Sequence, residues 1–518
     1  MVRKLIRHPL YIVTYALFVF FIVVPVIYTF ITAVFSSDGV FLLQKQTYLL
    51  LSKSILISSI TAFFSTGLGT VLGFIIYKTN VKYRHFFKLA LLIPLFISPY
   101  IMAVAWKDLL FLLFNANSLM LSYVGLVGVM TIVFVPISML IVGSALSNID
   151  SQLEESALVI TDLKNVIIKI ILPLIKPALF TSFILVFIFS ISEFSVPVYF
   201  GVKVFTTEIF TQFSAFYNHS LAIMQSLLLV VICVLLLYSE HKYISDAPFL
   251  SIGSKGSNSK LFDSEKLNNI GLPFLIVYFG ISILSPVFIL LFQSLNGGAL
   301  VIIHAFDLLL PTIVNSVLLA LVGAFIIVFI GFISAFYSIK NENAKVFNWL
   351  LLLIFAIPST VYGISLIKFY NQPTLDIIYS SYAIILIAYI GKFSFISSKL
   401  IANAINQIPS NLDEIAQIQG VKAFSRICKI LLPLILPSLF AAFIISFVFS
   451  LGELGTTIMV YPPGMEIMPI KVFTLMANVP QSLVSAMSLI VLTLTLLIII
   501  GFYLLMKPLL RTYNFVND

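Results

Sequence analysis

Runs of about 20 consecutive apolar residues recur along nearly all of this 518-residue chain, and no other feature limits its fold so severely. A helix needs roughly 20 apolar residues to cross about 30 Å of hydrocarbon. Inside a bilayer every backbone polar group must be satisfied by the protein itself, so only helices and closed barrels span it. The runs here are long and continuous instead of short and alternating, which argues against a barrel. A water-soluble globule is excluded too, because 9% of the residues are charged and 61% hydrophobic, where soluble domains carry roughly a quarter charged. About twelve runs centre near residues 10–34, 52–77, 89–114, 120–146, 174–200, 220–239, 270–295, 311–339, 347–370, 377–402, 433–455 and 482–506. The expected fold is an all-α integral membrane protein of about twelve transmembrane helices.

The opening MVRKLIRH resembles the start of a signal peptide, but the apolar run behind it is too long and lacks a small-x-small cleavage site, so it is expected to stay as the first span. The net charge of +9 does not mark a nucleic-acid surface, since the basic residues are dispersed between hydrophobic spans. They set orientation instead. With both termini cytoplasmic, the outer loops keep only Lys45, Lys53, Lys107, Lys203, Lys368 and Lys471 of the 29 Lys and Arg. Of the two cysteines, Cys233 falls in a span and Cys428 in a cytoplasmic helix, so they are expected to stay far apart and unbridged.

The chain repeats itself. Leu172 to Phe194 aligns without gaps to Leu432 to Leu454 at an offset of 260, with 13 of 23 positions identical. Ser54, Gly69 and Lys78 match Ser316, Gly331 and Lys340 at an offset of 262. Each half holds about six spans, and an even number returns the chain to its starting side, so the halves are parallel repeats about an axis along the membrane normal. The expected division is a first six-helix repeat over 1–239, a cytoplasmic linker over 240–269 whose Gly/Ser-rich centre is flexible, and a second six-helix repeat over 270–518.

Both halves carry the same polar loop between their fourth and fifth spans, DSQLEESALVITDLKNVIIKIILPLIKP and PSNLDEIAQIQGVKAFSRICKILLPLILP. Ser151 with Glu154, and Ser410 with Asp413, fit a helix-opening box in which serine caps backbone N–H groups and the carboxylate meets the positive end of the helix dipole. Gly420 suits the left-handed residue that ends such a helix; the first copy has Thr161 or Asp162 there. Pro173 and Pro433 are expected to start the fifth span of each half, since proline is tolerated in a first helical turn.

This pattern of Glu-x-Ala, Gly and Ile-x-Leu-Pro resembles the EAA motif of binding-protein-dependent ABC importer permeases. The second copy carries Glu414, Ala416, Gly420, Ile430, Leu432 and Pro433; the first carries Glu155, Ala157, Ile170, Leu172 and Pro173 and lacks the glycine. The resemblance implies the type I importer permease architecture in a bacterial inner membrane. It implies that each loop docks as a coupling helix on a separate cytoplasmic ABC ATPase, with two ATPase copies, Glu155 and Glu414 as docking carboxylates, and a periplasmic or lipoprotein binding protein delivering cargo outside. No G-x-x-x-x-G-K-[ST] occurs, so the chain is not expected to bind a cofactor, and ATP would be hydrolysed by the partner. Fused permeases of this length most resemble the ferric-iron group, with thiamine permeases as relatives; fold likeness alone does not assign a ligand.

Glu193 and Glu453 occupy equivalent places near the outer end of the fifth span of each half. Carboxylates at such depth usually face the bundle interior or a water-filled cavity. They either line the translocation path or gate, or they bond backbone N–H groups at a helix break helped by Gly452, Gly455 and Pro197. The five histidines have no metal-ligand spacing, and no catalytic set occurs in an aqueous loop, so neither a metal site nor an enzyme is expected. The aromatic content is expected on lipid-facing and interfacial surface, and glycines such as Gly67, Gly69, Gly73, Gly323 and Gly331 at close helix contacts. A gradient-driven secondary transporter also fits twelve spans in two halves, but it needs several ionisable residues inside the bundle, while this chain places its repeated polar residues in the loops.

Overall fold

A computed structural model describes residues 9–34, 45–114, 119, 121–244, 261–262, 265–340 and 344–515. Most of the expected linker, 245–260 and 263–264, lies outside the described residues. The described chain is helical almost throughout. Among the described residues, nine helices are long and apolar enough to cross a membrane by themselves, and three bent pairs raise the number to twelve.

The bent pairs depart from the continuous spans expected from hydropathy. The third span is Arg84–Phe96 followed by Pro99–Phe114 at 98°, and the ninth is Lys345–Ala356 followed by Ser359–Tyr370 at 105°. Proline explains both turns. Ile357 (φ −66°, ψ 126°) directly precedes Pro358, and a proline disfavours helical conformation in the residue before it; in the third span Ile97 (φ −95°, ψ 128°) is extended two residues before Pro99, which supplies no N–H to carry the ladder on.

Prolines act differently at four other places. Val19–Val23, Ile167–Ile171, Gly280–Leu284 and Ile427–Leu431 each form one wide i→i+5 turn, and each is followed two residues later by proline: Pro25, Pro173, Pro286 and Pro433. The wide turn keeps the proline ring clear of the preceding carbonyls while the helix continues. At Pro25 the carbonyl left without a donor, that of Phe21, accepts a 2.8 Å hydrogen bond from the Tyr370 hydroxyl in the other half. This corrects the expectation that Pro173 and Pro433 begin the fifth spans. Helix Ala423–Gly452 starts ten residues before Pro433, and in the first half Leu163–Leu174 passes through Pro173 before a 60° bend leads into Lys176–Ser192. Both fifth-span helices stop where Glu193 and Glu453 turn extended, short of the expected ends.

Within each half the second and fourth spans pack closely. A Cβ on Gly69 would lie 2.4 Å from Ser138 Cβ, and one on Gly331 would lie 2.5 Å from Ser397 Oγ, so both positions need glycine for the helices to touch. Gly67 meets nothing within 4 Å, and packing does not explain it. The halves interlock. Pro99–Phe114 of the first packs on Ser285–Asn296 of the second, and Ser359–Tyr370 of the second packs on Val24–Val34 of the first. Buried Asp108 accepts hydrogen bonds from Gln481 Nε2 at 3.1 Å and Ser485 Oγ at 2.9 Å, joining the two halves.

Candidate functional site: two matched loops and a central cavity

Each repeated loop forms a short helix, Ser151–Ile160 in the first half and Ser410–Ile418 in the second. The cap of the first differs from the expected box. Asp150 Oδ1 accepts from Gln152 N at 2.9 Å and caps the helix, while Ser151 lies inside it. The side chains of Ser410 and Asp413 lie outside the described residues. Gly420 has φ +76°, Gly420 N donates to Gln417 O and Val421 N to Ala416 O, both at 3.0 Å. These are the two reverse bonds that close a helix on a left-handed residue. Thr161 in the first copy is instead extended, and the next helix begins at Leu163.

Ala157 and Ala416 are buried, while Glu155 and Glu414 are exposed on the same short helices. Ala157 packs with Leu146, Ile149, Val166 and Ile171, and with Phe262 from within the expected linker. Phe262 N donates to Lys78 O at 2.7 Å, which fastens that segment to the end of the second span. Leu172, Pro173 and Pro433 are exposed and Leu432 is half-buried. The loops also present bare apolar side chains: Val159 is 88% exposed, Ile160 86%, Ile418 85% and Phe424 78%. Exposed apolar residues clustered in this way mark contact surfaces.

One residue pair behind the first loop went unread in the sequence. Lys78 Nζ lies 2.6 Å from Glu154 Oε1, and both side chains are fully buried. Burial pushes the Glu154 carboxyl above its ordinary value, and the Lys78 ammonium pulls it back down. The pair ties the loop helix to the second span. Its signal was the recurrence of lysine at Lys78 and Lys340, which orientation alone accounts for equally well.

Between the halves lies a cavity of about 150 Å³. It is walled by the bends of the third and ninth spans and by the ends of both fifth spans, and it holds Glu193, Glu453 and Lys392. The two glutamates each serve the backbone of the break that follows them. Glu193 Oε1 accepts from Ser195 N at 2.8 Å, from Val196 N at 3.4 Å and from the Ser195 hydroxyl. Glu453 accepts from Thr456 N at 2.6 Å on Oε1 and from Thr457 N at 2.9 Å on Oε2. Structure therefore brings together at one cavity both features weighed for these residues, a backbone-bonding role and a place on the inner wall. Phe134, Phe189, Phe355, Phe393 and Phe449 ring the same space, with Phe189 centroids 5.8 Å from Phe134, 5.4 Å from Phe355 and 6.4 Å from Phe449. Part of the aromatic content expected at lipid thus lines the interior. Among the described residues, no three His, Cys, Asp or Glu side chains stand close enough to share a metal ion.

Residues 327–511 match the family model described as "Binding-protein-dependent transport system inner membrane component". Relatives cover most of the chain. The "Fe(3+)-transport system permease protein FbpB 2" of Haemophilus influenzae is 24% identical over 82% of this chain and 83% of its own length. The "Putative ferric transport system permease protein FbpB 1" of the same organism is 24% identical over 85% of this chain and 75% of its own. The "Ferric transport system permease protein FbpB" of Actinobacillus pleuropneumoniae is 24% identical over 83% and 68% respectively.

Proposed function

The chain is a multi-pass inner-membrane permease of the binding-protein-dependent ABC type, and from that premise we propose that it is the membrane subunit of an ATP-driven importer of ferric iron. The observation that carries the mechanism is the pair of loop helices. Each buries its alanine, exposes its glutamate, and holds bare apolar residues beside it: Val159 and Ile160 in one copy, Ile418 and Phe424 in the other. Such a surface suits a groove on a cytoplasmic ATPase, with Glu155 and Glu414 at its polar edge and the segments through Leu172-Pro173 and Leu432-Pro433 carrying the motion into the fifth spans. Two ATPase copies would serve the two loops, both termini would be cytoplasmic, and the two six-helix repeats over 1–239 and 270–518 would rock against each other about the linker. The chain itself would bind no cofactor and catalyse no reaction; ATP would be hydrolysed by the partner.

Ferric iron is the cargo named in the three relatives that span most of the chain, each delivered here, on this account, by an external binding protein. Glu193 and Glu453 then belong to the gate of the path. They hold the breaks at the ends of the fifth spans, and they leave few oxygens for a resident ion, as a transporter that must release its cargo requires.

The test of cargo is uptake of labelled ferric iron, beside labelled thiamine, in cells with and without this chain. Loss of iron uptake alone is expected. Loss of thiamine uptake with iron unchanged would keep the mechanism and replace the cargo.

A further inference from the structure

The second span ends at Lys78, and the chain turns through Lys82 and Tyr83 into the short helix Arg84–Ala90 that opens the third span. This is the side of the loops, since Lys78 pairs with Glu154 of the first loop helix. Phe87 and Ala90 face inward. Outward, the helix shows two flanks. Arg84 and Lys88 stand four residues apart and share one of them, with Lys82 just ahead; Phe86 and Leu89 are exposed on the other, and Tyr83 is exposed at the turn. The Lys88 ammonium lies 4.5 Å from the centre of the Tyr77 ring and that of Lys82 5.0 Å from the Tyr83 ring. Ring faces orient an ammonium without neutralising it.

None of Lys82, Arg84 and Lys88 forms an ion pair with a carboxylate among the described residues. The second and seventh spans, which pack on this helix, bring one described carboxylate between them, Glu265 at the start of the seventh. With it counted, three cations still leave the patch positive. The apolar flank continues across the join between the halves: Phe86 and Phe87 have ring centroids 5.7 and 6.0 Å from Phe279 of the seventh span, where Ile276 and Val277 are exposed nearby.

The second half lacks this surface. Ile97 and Ile357 mark the matching bends, and the offset of 260 between them puts Ala344 and Asn348 where the first half has Arg84 and Lys88. Ala344 is buried, and Asn348 Oδ1 accepts from Ser398 Oγ at 2.8 Å and Ser334 Oγ at 3.4 Å, so it serves helix packing. Orientation asks for basic residues on one side of the membrane, not for three on one turn beside bare apolar side chains in one half only. A basic flank beside an apolar one is the arrangement that sits at headgroup depth and attracts anionic lipid.

We infer that this end of the third span is an anionic-phospholipid site: Lys82, Arg84 and Lys88 meet the headgroup phosphate while Phe86, Leu89 and Phe279 lie along acyl chains, so that lipid covers the join between the third and seventh spans. The inference rests on the importer account only for calling this leaflet cytoplasmic.

The test is native mass spectrometry of the detergent-solubilised permease, alone and with its ATPase, titrated with phosphatidylglycerol or phosphatidylcholine. Wild type is expected to retain phosphatidylglycerol at about tenfold lower concentration, and Lys82→Gln, Arg84→Gln and Lys88→Gln should each weaken that retention about fivefold, the scale of one basic residue at a charged surface. The triple variant should erase the preference, Lys203→Gln in an outer loop should keep it, and Phe86→Ser/Leu89→Ser should weaken both lipids alike. Equal retention of the two lipids by wild type, or an unchanged preference in the triple variant, would overturn the inference. So would displacement of phosphatidylglycerol by inorganic phosphate, which would make this a site for the free anion, or loss of the preference on adding the ATPase, which would give the surface to that subunit. Failure of the cargo assignment reads differently: no ATP-driven iron uptake by wild type, with the lipid preference intact.

Discussion

Lys78 and Glu154 are fully buried and 2.6 Å apart, and a buried ion pair punishes the removal of one partner more than of both. Lys78→Met or Glu154→Gln alone is expected to destabilise the loop by about 3–5 kcal/mol, because the survivor stays buried without compensation. The double variant Lys78→Met/Glu154→Leu should recover much of that loss. Limited proteolysis within 151–177 measures it; single variants cut no faster than wild type would contradict the assigned coupling. At Glu453 the carboxylate bonds two backbone N–H groups, so Glu453→Ala should lower stability by roughly 1.5–3 kcal/mol per lost charged bond, seen as a drop in the thermal midpoint in detergent, with Glu453→Gln between. Glu193 and Glu453 were legible because a carboxylate stands out in an apolar run and recurs at the same place in both halves. Lys392 and Glu154 were not. Lys392 has Val133 at its repeat position, by the offset of 259 that relates Ser397 to Ser138, and Glu154 has a local role, helix capping, that fits as well as the distant partner it actually bonds.

At the scale of elements, two small features decide how each loop meets its span. Gly420 at φ +76° lets the chain reverse in the left-handed region, where a side chain costs about 1–2 kcal/mol. Gly420→Val is expected to weaken ATPase capture in a pull-down and to slow transport, whereas Thr161→Val in the first copy, where the backbone is already extended, should leave capture near wild type. Equal loss in both would contradict the difference between the copies. Hydropathy located the spans because it counts apolar residues. It missed their bends because it carries no direction: Pro99 and Pro358 turn the third and ninth spans by 98° and 105°, while Pro25, Pro173, Pro286 and Pro433 are absorbed by a wide turn placed two residues before each. At Pro25 the freed carbonyl of Phe21 meets the Tyr370 hydroxyl, a partner 349 residues away that no local reading of the sequence could supply.

For the whole molecule, the repeat was plain in sequence, but the exchange between halves was not, since it depends on which faces meet. The bent third span of one half packs on the first span of the other, and Asp108 bonds Gln481 and Ser485 across the join. Residues 1–250 and 251–518 expressed as separate chains should therefore copurify, and Asp108→Leu should weaken that association; halves that never associate would place the cohesion in the linker. On the proposed function, motion of such interlocked halves about a cavity walled by both would give the chain a means of alternating access, driven at two matched loops.

The central claim is that ATP hydrolysis by a partner, delivered through both loops, drives ferric import. Its most direct test is iron accumulation in proteoliposomes holding this chain, its ATPase and the binding protein, with Val159→Asp and Ile418→Asp variants alongside. Uptake that requires ATP, persists without any ion gradient and falls sharply in either variant is the result the account predicts. Uptake driven by a proton or sodium gradient without the ATPase, and unchanged in both variants, would contradict it.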